Sequence, residues 1–294
     1  MVLRKRSPEP PTITKTGKIV KNNMIKFFRN FRLILMTETN SGDQKVTAIS
    51  PQRRVIKYLL YAIGEIILVV IGILIALQIN NNNDLRKERE KEIHYLENIK
   101  QDLIFNNHEI DKYIAIRTQC IESANLLIKH FEGEPVTDYT AFNALGVQIY
   151  SWQKFHQNDN TFQELVNSGN LSLISNDSIK NMLQNLEALY KVMKSEEEHF
   201  RFDTETLIYE PLYRLMDLND LVNNYAYNVS NGQEGEDIEL NADSFKDYLK
   251  ELKLKNGFAM TVLEFGVLNG ELEEMKQLSE TLIEAIDKEL KLGL

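Results

Sequence analysis

From Tyr58 to Ile79 the chain reads YLLYAIGEIILVVIGILIALQI, 22 residues with a single formal charge, Glu65. At ~1.5 Å rise per residue a helix of this length covers ~33 Å, enough to cross a hydrocarbon core of ~30 Å. A helix that is apolar all round has no wet face, which sets it apart from the amphipathic core helix of a water-soluble domain. A cleaved secretory signal would need a shorter apolar stretch, ~7–15 residues, and a small-x-small site. This run ends Ala76-Leu77-Gln78-Ile79-Asn80 instead. The expectation is a single transmembrane helix over 58–79, between a short head, 1–57, and a long tail, 84–294.

Charge orients the span. Residues 1–57 hold 13 Lys and Arg against three Asp and Glu, a net of +10, whereas residues 84–294 hold 21 against 39, a net of −18. Short basic flanks stay on the cytoplasmic side while long domains are translocated with little regard to charge. The expected topology is therefore head in, tail out. Within the head, residues 24–57 read as a basic juxtamembrane segment. Its stretch MIKFFRNFRLILM from Met24 places Phe27, Phe28, Phe31, Ile34 and Leu35 on one side of a helix, with Lys26, Arg29 and Arg32 at the boundary. That is the pattern of an interfacial helix on anionic lipid; an irregular basic tether is the alternative. Residues 1–23, polar with three prolines and no period, read as a disordered basic extension.

Three stretches, MIKFFRNFR from Met24, KYLLYAIGEIILVVIGILIALQINN from Lys57 and TFQELVNSGNLSLISNDSIKNML from Thr161, resemble a family of bacterial single-pass membrane proteins catalogued as a domain of unknown function. The resemblance covers most of the chain, and its span motif, with Gly64-Glu65 and the Gln-Ile-Asn-Asn exit, is specific. It implies a bacterial inner membrane and a periplasmic tail. Members begin at the position of Met24, which makes residues 1–23 a misassigned start or an extension. They also carry a Trp after the Asn pair, where this chain has Asn82 and Asn83, so an interfacial aromatic anchor is missing. The family brings no activity to carry over.

The tail reads as helical almost throughout. No proline or glycine interrupts Asp84 to Phe131, and Ile110, Ile114, Ile121, Ala124, Ile128 and Phe131 keep a three-four spacing. The four asparagines Asn80 to Asn83 are poor helix formers and are expected to cap or kink the junction with the span. Gly133-Glu-Pro135 ends the helix. A second helix is expected over Tyr139–Phe155, with Phe142, Leu145, Ile149 and Trp152 on a core face. Thr161 with Glu164 forms a candidate capping box and Gly169 a C-terminal cap. One of Ser175, Asn176 and Asp177 caps a helix carrying Ile179, Met182, Leu183, Leu186 and Leu189. Residues Lys191 to Tyr227 are expected to be helical with a break before Pro211, then an exposed loop over Asn228–Asp237. Helices over Ala242–Lys255 and Phe258–Leu292 close the chain. The near-heptad Leu268, Leu272, Met275, Leu282, Ile286 and Leu290 suits pairing with the first long helix, or a coiled coil with a second copy. The expected fold class is all-α, a transmembrane helix followed by a mostly antiparallel extracytoplasmic helical bundle.

Chemistry is sparse. His94, His108, His130, His156 and His199 are scattered without HExxH or another ligand spacing, so no metal is expected. Cys120 is alone, on the interior face of its helix. No Walker loop, GxGxxG or GxSxG is present, and the expectation is a protein with no cofactor that is not an enzyme. An acidic exported domain repels phosphate, which excludes nucleic acid as a partner. Glu65, about seven residues into the span, is the residue that asks for an explanation. It snorkels or is protonated near the interface, or it hydrogen-bonds a partner span while Gly64, Gly72 and Ala76 allow close approach, or it couples to ions. Three functions follow. The leading one is a membrane-anchored structural or interaction protein whose partners are lipid and either another protein or a second copy. The alternatives are a sensory input module for a small ligand and an ion-coupled accessory subunit using Glu65 beside a multi-spanning partner.

Overall fold

A computed structural model describes residues 51–292, and every regular element among them is helical. The extension 1–23 and most of the juxtamembrane segment, including Lys26, Phe27, Phe28, Arg29, Phe31 and Arg32, lie outside the described residues. The chain divides into two units, one ending at Ile75 and one running from Ala76 to Leu294.

The described part of the first unit is the opening of α1, Pro51–Phe131. This helix is long and apolar enough to cross a membrane. Within the first unit its described apolar side chains stay outside any core: Ile66 is 63% exposed and Leu74 59%.

In the second unit α1 continues without interruption through Asn80–Asn83, where a cap or kink was expected. Bonds one turn apart offset the weak propensity of asparagine. Gln78 Nε2 donates to Asn82 Oδ1 (3.1 Å), Asn80 Nδ2 to Asp84 Oδ2 (3.0 Å) and Arg86 to Asn83 Oδ1 (3.3 Å). α1 ends at Phe131, ahead of Gly133 at φ +106°.

Helix α2, Tyr139–Tyr150, is capped by Asp138, which accepts from Ala141 N. It stops five residues short of the expected Phe155. Residues 151–159 instead form a partly buried strap, and side chains of α1 and α4 bond several of its backbone groups where a helix would have bonded them internally. Asn106 and Asn158 exchange two bonds of 2.8 Å, and Tyr113 donates its hydroxyl to Lys154 O at 2.8 Å. In α3, Asn160–Asn167, the expected capping box does not form. Thr161 donates its hydroxyl to Asp102 (2.6 Å), and Glu164 accepts from Tyr95 OH (3.0 Å). Gly169 does close α3, in the left-handed conformation at φ +73°. Asn176 then caps α4, Asp177–Thr204, accepting from the backbone of Ser178 and Ile179.

No break precedes Pro211. Proline lacks an N–H and clashes with the carbonyl four residues back in an α-helix. The chain instead widens to a π turn over Glu205–Tyr209, with Glu210 N–H bonded to Glu205 O, and stays helical through α5, Glu210–Leu215. The break falls later, at Met216, and Asp217 caps α6, Leu218–Val229. The exposed polar loop follows as expected. A helix over Ala242–Lys255 does not form: Asn241 Oδ1 accepts from the backbone of Asp243 and Ser244, which favours a turn. A short 3₁₀ turn at Tyr248–Lys250 leads to α7, Leu252–Leu292.

Leu96, Ile99 and Leu103 of α1, Ile179, Leu183 and Phe200 of α4, and Leu268, Leu272, Leu282 and Ile286 of α7 share the core. Trp152 is part of it, 4.8 Å from Phe200 and 6.2 Å from Phe265 between ring centroids. Ion pairs stitch α1 to α7: Arg89 to Glu289 (3.0 Å), Lys100 to Asp287 (2.5 Å), Asp111 to Lys276 (2.5 Å) and, just past the end of α1, Glu132 to Lys255 (3.0 Å). The partner number falls as the α1 number rises, so the two helices run in opposite directions along this face.

α7 passes through Gly257 because α4's continuation sits directly against it. A Cβ there would meet Ile208 Cγ1 at 2.5 Å and Leu207 Cβ at 3.1 Å. Gly257→Ala is therefore expected to cost about 1–3 kcal/mol despite alanine's better helix propensity. Gly266→Ala, with nothing within 4 Å, is expected to be neutral or to stabilise by about 0.5–1 kcal/mol. Urea midpoints of the two variants check this; equal shifts would remove the close-approach account.

Candidate functional site

Three helical turns of α1 beyond the strap's first anchor, an arginine lies where the apolar stripe would place a hydrophobe. Arg117 is 2% exposed and its partner on α4, Glu197, 1%. Arg117 Nη2 donates to Glu197 Oε1, which also accepts the backbone N–H of Phe155 at 2.9 Å. The guanidinium lies over the Tyr113 ring at 5.7 Å and the Phe265 ring at 5.8 Å, so α1, α4, α7 and the strap all meet at this pair. Just outside, Lys154 of the strap pairs with Glu198.

Burial dominates the electrostatics. Desolvation pulls the Arg117 pKa below its ordinary value even with Glu197 beside it. Desolvation likewise pushes Glu197 up, against the Phe155 N–H and Arg117. Both directions say that transfer from water costs more than the pair's attraction returns. Arginine starts so far above neutrality that it remains charged, and it holds Glu197 as its counter-ion. Nε and Nη1 of Arg117 have no acceptor among the described residues, and Glu271 Oε2 and Asn269 Oδ1 on α7 are buried without a donor. Burial and Glu196 raise Glu271, with Arg117 opposing. The pair and its surroundings form a polar lock that fixes three helices and the strap in one register.

A second lock sits nearer the opening of the domain. Glu92 of α1 accepts from Ser175 N (2.6 Å), Ser175 Oγ (2.7 Å) and Arg89 (2.5 Å). These bonds hold its carboxyl below the ordinary range although burial alone would raise it.

Glu65, Gly72 and Ala76 are exposed, and a Cβ at Gly64 or Gly72 would meet nothing within 4 Å. At 100° per residue Glu65 and Gly72 fall within about 20° of one another around the helix, while Gly64 lies to one side. Four of the histidines are exposed, His94, His108, His156 and His199, and His130 is half-buried against Phe142. Cys120 is buried, and burial pushes its thiol up to about 11, so it is a protonated core side chain at neutral pH. One histidine does not stand alone. His199 and Asp203 on α4 and Glu264 on α7 bring ligand-type atoms within 4.8 Å of one another. The spacing of His199 and Asp203, one helical turn, was in the sequence; the third member, on another helix, was not.

Through residues 65–204 the chain matches the model of a family described as a family of unknown function (DUF6090). The match opens at Glu65 inside the apolar run and closes at the last residue of α4, so it takes in Arg117, Glu197, His199 and Asp203. Comparison with curated proteins and with solved structures finds no match.

Glu197→Ala leaves Arg117 buried without a counter-ion and is expected to lower stability by about 3–5 kcal/mol. Replacing both, Arg117→Met with Glu197→Leu, is expected to recover most of that loss, because no buried charge is then left over. Equilibrium unfolding of the single and double variants reads the difference, and an equal loss in both would mean that packing, not charge, sets the cost.

Proposed function

We propose that this protein is a non-enzymatic, membrane-anchored interaction protein. The helix over Tyr58–Ile79 spans a bacterial inner membrane as a single pass, with the basic residues 1–57 in the cytoplasm against anionic lipid. The acidic residues 84–294 form a periplasmic, mostly antiparallel helical bundle presented to protein partners or to a second copy of the chain. The observation that carries this proposal is the contrast between the two units. The second buries its own core of aliphatic and aromatic side chains, whereas in the first the apolar run keeps side chains such as Ile66, Ile73 and Leu74 more than half exposed. Apolar area on that scale is not left to water, since roughly 25 cal/mol is at stake for each Å².

The face formed by Glu65 and Gly72 supports association between spans. Small residues allow backbones to approach, and a carboxyl in hydrocarbon gains most from a hydrogen-bonding partner. A sensory role has less support. The recess between Ile99, Asp102, Asn106, Gln157 and Phe162 has about 20 Å³, room for one water rather than an organic ligand, and a larger one of about 730 Å³ between Glu205, Tyr209, Tyr213 and Arg214 is an open surface depression rather than an enclosed site.

Two experiments test the proposal. Gln233→Cys in the exposed loop is expected to react with a membrane-impermeant maleimide in cells whose outer membrane alone has been permeabilised, and Ser41→Cys only after lysis; the reverse pattern would overturn the topology. In membranes, Gly72→Cys is expected to form a disulfide-linked dimer under mild oxidation, while Val70→Cys, on the far side of the helix, stays monomeric. Equal cross-linking at both positions would remove the packing face.

A further inference from the structure

We propose that His199, Asp203 and Glu264 form a binding site for a divalent first-row transition metal of the zinc class, held between α4 and α7. His199 and Asp203 lie one helical turn apart, with Nε2 and Oδ2 3.8 Å from each other, and Glu264 reaches across from the facing helix so that the three ligand atoms lie within 4.8 Å. Around a zinc ion with bonds of ~2.0–2.2 Å, ligand atoms stand ~3.3–3.6 Å apart. Small rotations of the side chains therefore close the site without moving either helix.

The independent observation is the state of Glu264. It is 9% exposed, yet among the described residues no hydrogen bond or ion pair reaches its carboxylate. Its oxygens keep a narrow contact with solvent, yet a carboxylate on a side chain this far buried, with no protein donor, is poorly solvated and costly. The groups facing it are Glu196, His199 and Asp203 on α4. Only His199 among these can offset negative charge, and it does so only when protonated. A divalent cation would balance the two carboxylates and leave the imidazole neutral, as metal ligation requires.

The donor set selects the metal class. One imidazole nitrogen with two carboxylate oxygens suits zinc, manganese or cobalt, whereas calcium and magnesium prefer all-oxygen shells. His199, 60% exposed at its side chain, leaves an entry path from solvent. Three protein ligands leave a fourth position for water or for a donor from a partner. The nearby backbone is also unusual: Asp203 lies two residues before the π turn over Glu205–Tyr209, a distortion found often at functional sites.

The test uses the full-length chain in mild detergent, with a purification tag free of histidine. Zn²⁺ titrated by calorimetry is expected to bind at one ion per chain. His199→Ala and Glu264→Gln are each expected to weaken that binding about tenfold or more, and His108→Ala to leave it unchanged. Glu264→Gln keeps the shape of the buried side chain; circular dichroism confirms folding, and if that variant unfolds, the surface variant His199→Ala decides. Co²⁺ in place of zinc is expected to show a ligand-field absorption that disappears in both variants. No saturable Zn²⁺ binding to the wild-type chain, or binding equal in wild type and His199→Ala, would overturn the site.

Discussion

The Arg117–Glu197 pair is the constraint from which the arrangement of the second unit follows. Each partner is excluded from water, and the direction of both pKa shifts shows desolvation outweighing attraction. A pair of this kind is weak as a source of stability, but it is exacting about geometry, because any displacement exposes a charge to a medium that cannot solvate it. The same Glu197 oxygen holds the Phe155 N–H, so the strap is tied to the lock, and Lys154 O is tied to Tyr113 one turn before Arg117 on α1. Residues 151–159 can thus be irregular and still buried in part, since α1 and α4 supply the partners that a helix would have supplied from within.

From the lock, α4 carries the same logic along its length. Its far end meets Pro211, and the chain absorbs the missing N–H by widening over Glu205–Tyr209 rather than by stopping. That widened turn brings Leu207 and Ile208 against α7 so closely that only glycine fits at position 257. Pro211 and Gly257, which look like two helix breakers in the sequence, are linked through Leu207 and Ile208, which the widened turn before Pro211 carries and which pack on Gly257.

How far the sequence reveals this depends on the range of the interaction. The apolar run, the end of α1 before Gly133, the caps at Gly169 and Asn176 and the heptad of α7 are local patterns, and each appears where residue types place it. The buried charges were legible in part: position 117 falls on the stripe through Ile110, Ile114, Ile121 and Ala124, position 197 between Met193 and Phe200, and position 264 between Thr261 and Leu268. Their location inside could be read from that register, but their partners could not, because Arg117 and Glu197 are 80 residues apart. The misplaced elements fail for the same reason. Trp152 and Phe155 continue the spacing of α2, yet the strap wins because α1 offers it acceptors and donors. Thr161 has the right neighbours for a capping box, and Asp102 on a distant turn takes its hydroxyl instead.

Charge distribution joins these observations to function. Most acids of the second unit are at the surface, many beside a lysine or arginine three or four residues away, where an ion pair is worth little. Between α4 and α7 the situation is different. Glu196, Glu197, Asp203, Glu264 and Glu271 gather there against Arg117 and His199, and burial raises Glu197, Glu264 and Glu271 alike. Partial burial lessens the screening that surface charges have, so repulsion among these acids works against the α4–α7 packing. A cation of charge two placed between His199, Asp203 and Glu264 removes that repulsion where it is strongest. On the proposed metal site, the seam is then the place where a small ion alters the firmness of the α4–α7 contact without changing a single apolar one.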